Sequence, residues 1–500
     1  MSFIVQHYIQ GKLTDGSGTE FFPIYNPSEG KVIGKVCKGT PQDVDTAVKA
    51  ARAAFPEWRA QSALKRARIL FEFKSLLEKN KKELALLISR EHGKVLSDAL
   101  GEVQRGIEVV EFACGAPHLL KGHFSHSIAA TMDCYDIREP LGVCAGVTPF
   151  NFPAMVPMWM FPLALACGNT FILKPSEKDP SVSLYLADLL QQAGAPAGVL
   201  NIVQGGKEVV DAILAHPGIA AVSFVGSTPI AKYIYETGSA HGKRVQALGG
   251  AKNHCVVMPD ADVSQVVNGI MGAAYGSAGE RCMALSVVVA VGNQTADRLI
   301  EELKKSIKQL VIGPSEHPAS EMGPVVTAAH REKIMEYIAS GEAQQALLVV
   351  DGRHTLVPGH EQGFYLSATL FDHVKPDMKI YKEEIFGPVL CVVRVEHLQD
   401  AINLINEHPY ANGAVIYTQN GGWGRYFAEQ VHAGMVGINV PIPVPLAFHS
   451  FGGWKDSLFG SHHMHGSEGV SFYTRLRTIS SRWENQSETK QAHFMMPTPA

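Results

Sequence analysis

The sequence lacks the cysteine spacing, the charge excess and the long apolar run that mark several classes of protein. Its eight cysteines are scattered, with no C-x-x-C pair and no close Cys/His group, so neither a zinc site nor a disulfide framework is predicted. The net charge of -4 is too small to favour a nucleic-acid partner. The longest apolar run, residues 150–167, contains Asn151 and three prolines, which argues against a membrane span.

A targeting segment is also missing. The first residues, MSFIVQHYIQGK, have neither the basic start and apolar run of a signal peptide nor the arginines of a transit peptide. Scattered cysteines suit a reducing compartment, so we expect a cytoplasmic protein. His462, His463 and His465 form a short cluster that we expect to be a solvated loop, and no bound metal is predicted.

The length and the spacing of apolar residues predict a multidomain α/β protein. At 500 residues the chain exceeds the size at which one hydrophobic core keeps growing, so two or three domains are expected. Residues 6–38 show short alternating runs typical of hairpins, and residues 41–120 carry apolar side chains at helical spacing. After Glu139, short apolar strands alternate with helical segments, which predicts a doubly wound parallel sheet.

The second half of the chain predicts another α/β unit and a late exposed strand. A new series of strands and helices starts near His254 and includes the loop of Cys282. Residues 440–457 are rich in Pro and Gly and are expected to form loops. The segment VSFYTRLRTISSRW, residues 470–483, alternates like an exposed strand and is a candidate for pairing with another subunit.

Polar residues at the predicted strand ends mark where a doubly wound sheet binds ligands. The first such turn contains Asn151, which either caps the following helix or points its amide at a developing oxyanion. The next strand ends in Lys174, followed by Glu177 and Lys178, which form either a solvated turn or a site for ribose hydroxyls.

The glycine fingerprint G-x-G-x-x-G, which is typical of dinucleotide-binding sheets, follows none of the predicted strands. Gly226 and Ser227 instead lie between a strand and a helix, where a helix N-terminus can receive a phosphate.

Cys282 lies in the loop GSAGERCMALS. A lone cysteine is usually inert packing, but the small residues of this loop are unsuited to a core. Arg281 adds positive potential, which is expected to favour the thiolate over the thiol. We therefore predict a nucleophile at Cys282.

Six short motifs carry a resemblance that covers essentially the whole chain. PFNFP, KPSE, FVGS, the Leu248–Gly250 turn, GERCMA and EEIFGPV occur in the order found in the aldehyde dehydrogenase superfamily. GAKNH, VVMPDAD and GERCMALS resemble its CoA-acylating methylmalonate-semialdehyde branch. The resemblance implies a homotetramer built from a Rossmann-type dinucleotide domain (1–120 and 140–248), an α/β catalytic domain (249–465) and small β oligomerisation segments (121–139 and 466–500).

The resemblance also implies NAD as cofactor and assigns roles to individual residues. Cys282 is the implied nucleophile, and Asn151 with the Cys282 backbone N–H is the implied oxyanion hole. Lys174, Glu177 and Lys178 are expected at the adenosine ribose, Ser227 near the pyrophosphate, Glu384 at the nicotinamide ribose and Phe386 against the ring. The remaining residues expected to line the cofactor cleft are Thr148, Phe150, Gly226 and Gly249.

One position departs from the pattern of the superfamily. Most members have a glutamate before the Leu-Gly-Gly turn that activates water, and Ala247 stands there in this chain. Without that base, a thioester on Cys282 is expected to await a thiol, which makes coenzyme A the expected co-substrate.

Two arginines are implied to bind a substrate carboxylate, namely Arg105 and Arg281, because guanidinium grips a carboxylate bidentately. Without the resemblance, the favoured interpretation of Arg105 between Glu102 and Glu108 is a surface ion-pair ladder.

Together these residues predict NAD-dependent, CoA-acylating oxidation of methylmalonate or malonate semialdehyde, yielding propionyl-CoA or acetyl-CoA and CO2. Three alternatives stay open: a hydrolytic aldehyde dehydrogenase, a catalytically silent NAD-binding protein and a thiol hydrolase.

Overall fold

Five short strands and five helices form the first part of the chain. The computed structural model describes residues 3–129 and 131–483. A capping box between Thr40 and Asp43 starts the first long helix, and Gly93, with φ of 97°, ends the third. The elements are β1 (Phe3–Val5), β2 (His7–Ile9), β3 (Lys12–Thr14), β4 (Phe21–Asn26), β5 (Lys31–Cys37), α1 (Pro41–Ala60), α2 (Ala63–Lys79), α3 (Lys81–His92), α4 (Leu96–Cys114) and α5 (Ala116–Leu119).

A doubly wound sheet follows, as predicted. Its parallel strands lie in the order β12-β11-β8-β9-β10, and β2 and β3 extend one edge. Within the described ranges, no helix combines the length and apolar character needed to cross a membrane. The elements are β6 (Phe124–Ala129), β7 (Met132–Pro140), β8 (Val143–Val147), α6 (Met155–Ala166), β9 (Thr170–Lys174), α7 (Ser181–Gln192), β10 (Leu200–Ile202), α8 (Lys207–Ala215), β11 (Ile219–Val225), α9 (Thr228–Ala240) and β12 (Arg244–Leu248).

A second sheet of seven strands carries the Cys282 loop between its elements. Its order is β15-β16-β17-β14-β13-β19-β20, parallel except at β15. The elements are β13 (Asn253–Val257), α10 (Val263–Ile270), β14 (Leu285–Val291), α11 (Asn293–Gln309), α12 (Ala328–Ala343), β15 (Leu347–Val350), β16 (Thr369–Asp372), α13 (Lys379–Lys382), β17 (Val389–Val395), α14 (Leu398–Glu407), β18 (Tyr410–Ala411), β19 (Gly413–Tyr417), α15 (Gly421–Gln430) and β20 (Met435–Ile438).

Most of the last elements return to the first part of the molecule, and the exception is the short strand Trp454–Lys455, which pairs with β18. These last elements are β21 (Trp454–Lys455), β22 (Leu458–Phe459), α16 (Gly466–Phe472) and β23 (Thr474–Arg482). Although the boundary predicted at 465 assigns β22 to the second unit, β22 pairs with β12 in the first sheet. The division into domains therefore stays a prediction, with this crossing as its exception.

The late exposed strand is correct from Thr474 onward. β23 pairs with β7, which also pairs with β6, and Leu476 on β23 is 58% exposed. Val470 and Phe472, predicted as strand, instead end α16 because both side chains are buried in the core shared with α6. Residues 484–500 of the predicted oligomerisation segment lie outside the described residues.

One buried amide joins the first sheet to this C-terminal segment. Asn169 is fully buried, and its Oδ1 accepts the N–H groups of Leu141 and Gly142 at 2.7 and 3.0 Å. Its Nδ2 donates to the carbonyls of Ala164 and Tyr473 at 3.1 and 2.9 Å. If this side chain is removed, the Leu141 and Gly142 N–H groups and the Tyr473 carbonyl lose this partner, while the Ala164 carbonyl keeps the backbone N–H of residue 169 at 3.0 Å.

We predict that Asn169→Ala lowers the free energy of unfolding by about 3 kcal/mol, because buried polar groups without partners are costly. The midpoint of urea unfolding measures the effect. Asn403→Ala, at an exposed position of α14, is the matched control. An equal midpoint for the two variants would contradict the role of Asn169.

Candidate active site

The ring of Phe150 is the point at which three of the predicted cofactor motifs meet. Lys178 Nζ lies 4.1 Å from its centroid, and the Phe386 ring lies edge-on to it at 5.9 Å between centroids. The strand ends that carry these motifs are adjacent, since the Thr148 N–H donates to the Lys174 carbonyl at 3.0 Å. The structure therefore brings together residues that are separated by more than 200 positions in the sequence.

The second strand end presents a carboxylate beside a lysine. Lys174 is buried, and its Nζ lies 3.1 Å from Glu177 Oε2. Burial alone would raise the pKa of Glu177, but the charge and hydrogen bond of Lys174, a backbone N–H and the charge of Lys178 together outweigh it and lower that pKa. The hydroxyl of Thr148 nearby is buried and has no hydrogen-bond partner within residues 3–129 and 131–483. Ionised Glu177 and this hydroxyl are polar groups still able to bind a ligand.

The start of α9 leaves its first turn open to a ligand. Ser227 is the N-cap residue, yet its exposed side chain makes no capping hydrogen bond, and Gly226 precedes it. Thr228 Oγ1 accepts the Gly250 N–H at 2.8 Å, which fixes the neighbouring glycine turn. A Cβ at Gly249 would lie 2.6 Å from a carbonyl of the facing loop, so only glycine fits there.

Cys282 is half-buried and faces a cavity that is also lined by Arg281, Glu384 and Phe386. Of the eight unpaired cysteines, only Cys134 is comparably accessible, and it lies in β7. Cys282 is thus the half-buried cysteine that lines this cavity, and its role as nucleophile stays a prediction.

The loop before Cys282 has an unusual backbone. Residues 277–279 have φ of 52°, 51° and 74°, although the first two are not glycine. The Cys282 carbonyl accepts Nδ2–H from Asn253 at 2.9 Å and from Asn412 at 3.2 Å. Such conformations persist only where surrounding contacts hold them, and they concentrate at functional sites.

The ionisation of Cys282 differs from the prediction. Burial, reinforced by the negative charge of Glu384, raises the pKa of the thiol to about 12. Arg281 does act in the predicted direction, but its effect is the smallest of those that act on the thiol. The expected lowering of the Cys282 pKa is therefore wrong for the free protein, because burial of the sulfur outweighs one nearby cation.

Glu384 is the one carboxylate among the described residues that line this cavity. Its Oε1 accepts the Ala251 N–H at 3.0 Å, and a Cβ at Gly250 would lie 2.4 Å from Oε2. Burial raises the pKa of Glu384 to about 7, so the group changes charge near neutral pH.

Asn151 does not cap the following helix. The first N–H groups of α6, at Ala154 and Met155, donate to Glu102 Oε1 at 2.8 and 3.2 Å. Lys94, paired with Glu102 at 2.8 Å, donates to the backbone carbonyl of Asn151 at 2.6 Å. A buried ion pair therefore fixes this turn, and the Asn151 amide is left for another use.

Both predicted substrate arginines are associated with α4: Arg105 belongs to this helix, and Arg281 contacts it. Arg281 pairs with Asp98, and Arg105 pairs with Glu108 at 2.7 Å and donates to the Pro445 carbonyl at 2.6 Å. Asp98 and Arg105 are seven residues apart on one helix, or about 10 Å along its axis. The ladder expected around Arg105 forms only with Glu108, because Glu102 is used by Lys94.

The comparison with known proteins now decides the family. The model of the aldehyde dehydrogenase family matches residues 13–479. The chain belongs to the aldehyde dehydrogenase family. It is 55% identical, over 99% of each chain, to a malonate-semialdehyde dehydrogenase of Pseudomonas aeruginosa, and 51% identical to one of Oceanobacillus iheyensis, over 96% of this chain and 98% of that one.

Solved structures agree with this assignment and confirm the fold class. The methylmalonate-semialdehyde dehydrogenase of Oceanimonas doudoroffii superposes with a TM-score of 0.96 at 54% identity, covering 97% of this chain and 99% of that one. A structure from Sinorhizobium meliloti complexed with NAD gives a TM-score of 0.96 at 52% identity and the same coverage. The resemblance drawn from the motifs is confirmed.

Sequence reasoning missed the groups that hold this site of an aldehyde dehydrogenase in place. Lys94, Glu102, Asp98 and Thr228 belong to no predicted site, although each holds a predicted residue or turn in place. One signal was available: a lysine and a glutamate at 94 and 102 flank the start of a predicted helix that is otherwise apolar on one face. The backbone groups that these two side chains hold, at Asn151, Ala154 and Met155, lie more than 50 residues away in the sequence, so the contacts follow only from the fold.

We predict that Glu384→Gln speeds alkylation of Cys282 by iodoacetamide about two- to ten-fold at pH 9, because removing the nearby negative charge lowers the thiol pKa. As the pH falls through about 7, wild-type Glu384 gains a proton, so the two rates should converge. Labelling kinetics by mass spectrometry measure both rates.

Two controls accompany this measurement. Glu396→Gln removes an exposed carboxylate after β17, and Cys282→Ser reports background from half-buried Cys134. Identical rates for Glu384→Gln and wild type at pH 9 would show that the carboxylate does not act on the thiol.

Proposed function

We propose that this chain oxidises malonate and methylmalonate semialdehydes with NAD and transfers the acyl group to coenzyme A. The observation that carries the proposal is Cys282, half-buried in a cavity that it shares with Arg281, Glu384 and Phe386. The names of the relatives from Pseudomonas aeruginosa and Oceanimonas doudoroffii support these substrates.

The residues around Phe150 fit NAD. Glu177 offers a carboxylate and Thr148 an unpartnered hydroxyl, which are groups that bind ribose hydroxyls. The open N-terminus of α9, with Ser227, suits the pyrophosphate. Glu384 and Phe386 would hold the nicotinamide end, and Lys174, Lys178, Gly226 and Gly249 complete the set. When bound, NAD supplies the acceptor for the hydride.

Cys282 carries the covalent steps in this proposal. Its sulfur adds to the aldehyde carbon, and the Asn151 amide with the Cys282 N–H stabilises the alkoxide that forms. Loss of hydride from that carbon leaves a thioester on Cys282. Because the thiol pKa is raised in the free protein, the positive charge of the oxidised cofactor is expected to assist thiolate formation.

Arg281 and Arg105 would bind the carboxylate of the substrate. Both guanidinium groups are half-buried, and each already binds a carboxylate of the protein. Their N–H groups are therefore oriented to bind the carboxylate of a substrate. A carboxylate β to the thioester is lost as CO2: the C–C bond breaks, and its electrons move to the thioester carbonyl as an enolate, which is then protonated.

Release by coenzyme A rests on the scarcity of bases near the thioester. Ala247 is fully buried in a core cluster on the face of β12 opposite Leu248 and offers no proton acceptor. A hydrolytic enzyme remains the alternative, with Glu384 as the base that would activate water.

Two further alternatives have less support. If the chain were a thiol hydrolase, the cofactor residues around Phe150 would have no role. If it were a silent NAD-binding protein, the constrained backbone of the Cys282 loop would have no role. A homotetramer through β23 and a cytoplasmic location stay part of the proposal.

We predict that malonate semialdehyde and NAD without coenzyme A give a burst of about one NADH per active site, followed by slow turnover, because the thioester is poorly hydrolysed. Coenzyme A should restore steady turnover and yield acetyl-CoA. Stopped-flow absorbance and product mass spectrometry measure these outcomes, with Cys282→Ser as the inactive control. Equal steady rates with and without coenzyme A would support the hydrolytic alternative.

We predict that Arg281→Gln raises KM for malonate semialdehyde about ten-fold or more, since a charged hydrogen-bond partner is lost. KM for propionaldehyde, which has no carboxylate, should change less than about two-fold. Arg298→Gln, on the exposed face of α11, is the matched control. An equal rise in KM for both aldehydes would exclude a carboxylate-specific role.

A further inference from the structure

A second buried carboxyl lies two residues before the nucleophile. Glu280 is completely buried, and its Oε1 accepts the Val326 N–H at 3.2 Å. His330 Nε2 lies 3.6 Å from Oε1, and His92 Nε2 lies 3.9 Å from Oε2. Among the residues that the structure describes, neither Oε2 nor His92 Nε2 has a hydrogen-bond partner. The predicted function gives no role to Glu280 or to either histidine.

The hydrogen bonds determine where the two imidazoles carry their protons. His92 Nδ1 accepts the Lys94 N–H at 3.2 Å, so the proton of neutral His92 is on Nε2. His330 Nε2 lies 2.7 Å from the Phe386 carbonyl, which only accepts, so it also carries a proton. Burial lowers the pKa of His330 to about 4 and that of His92 well below its usual value, so both rings are neutral.

These two imidazoles also pack against Phe150, which is expected to line the cofactor cleft. The His92 ring stacks on Phe150 at 5.9 Å between centroids, and the His330 ring lies edge-on to Phe150 at 6.5 Å. Phe386, whose carbonyl faces His330, has φ of 57° and is held in a sparsely populated conformation. Glu280 therefore links the Cys282 loop to the residues expected to line the nicotinamide pocket.

The surroundings of Glu280 match its ionised form. An ionised carboxyl accepts from Val326 and faces the Nε2–H groups of both imidazoles at 3.6 and 3.9 Å, which is beyond hydrogen-bond length but within reach of their N–H dipoles. A protonated Oε2 would instead direct an O–H at the N–H of His92. Burial raises the pKa of Glu280 to about 8, opposed by the Val326 N–H and by the cations Lys178 and Lys94. Because this pKa lies within the pH range of ordinary assays, lowering the pH through it protonates Glu280 and removes the ionised form that its surroundings match.

We propose that Glu280 is a positioning residue: its buried carboxylate holds the Cys282 loop against the Phe386 segment, so that the sulfur and the nicotinamide pocket keep a fixed separation. This role rests on the proposed oxidation at Cys282 but not on the identity of the aldehyde. Glu280 touches no reacting atom, and it acts through the backbone that follows it and through His330. Small displacements of a nucleophile from its hydride acceptor slow the chemical step by large factors.

The test compares Glu280→Gln with wild type, because glutamine keeps the shape but presents an N–H₂ to His92, as the protonated acid presents an O–H. The burst rate of NADH formation with propionaldehyde should fall about 10- to 100-fold at pH 9. Wild type should lose rate as the pH falls through about 8 and approach the variant, whose profile lacks that step. Affinity for AMP and the pH profile of Cys282 alkylation should be unchanged.

Two further variants make the outcome decisive. Glu332→Gln removes an exposed carboxylate from α12 and should behave as wild type. His330→Asn removes the donor to Phe386 and should slow the burst in the same direction, which serves if Glu280→Gln does not fold. A folded Glu280→Gln protein with wild-type burst rate and pH profile would overturn the inference. If propionaldehyde is oxidised but malonate semialdehyde is not, the proposed substrate fails while this comparison still decides the role of Glu280.

Discussion

The site depends on the backbone of the Cys282 loop, which other parts of the chain hold in a conformation that its own residues disfavour. Ser277 and Ala278 take positive φ, where a Cβ is crowded by its own backbone. Amides from β13 and from the start of β19 hold the Cys282 carbonyl, and the side chain of Glu280 is buried beneath the loop. Cys282 is thus placed by tertiary contacts, and its loop conformation depends on side chains from the second sheet and its connections.

Burial then determines the electrostatics of the cleft. The pKa values of Cys282, Glu384 and Glu280 are all raised, to about 12, 7 and 8, and burial is the largest cause for each. An anion at any of them is costly in the free protein, so a bound cation is worth more there than in water. In the proposed function, a cofactor that is positive at its reactive ring would favour the Cys282 thiolate, so cofactor binding would be coupled to activation of the thiol.

Much of this arrangement can be predicted from the sequence. The features that cannot be predicted depend on contacts between distant parts of the chain. The strand ends, the helix start at Ser227 and Cys282 are local features, since each depends on the period of a few neighbouring residues. The cap of α6 is not local: Asn151 is a good N-cap residue, yet Glu102 from another helix fills that role. The ionisation of Cys282 is not local either, because Arg281 is visible in the sequence while the burial that outweighs it is not.

The arginines suggest how a charged aldehyde is selected. A guanidinium buried without a partner would be costly, and in this structure Asp98 and Glu108 supply that partner. A substrate carboxylate that takes the place of Asp98 exchanges one ion pair for another, so little charge is newly desolvated. With an aldehyde that has no carboxylate, Arg281 stays paired with Asp98, and the ion pair between Arg281 and the substrate is not formed. In the proposed function, selectivity then comes from competition between Asp98 and the substrate carboxylate for the Arg281 guanidinium. The substrate carboxylate must bind Arg281 more strongly than Asp98 does.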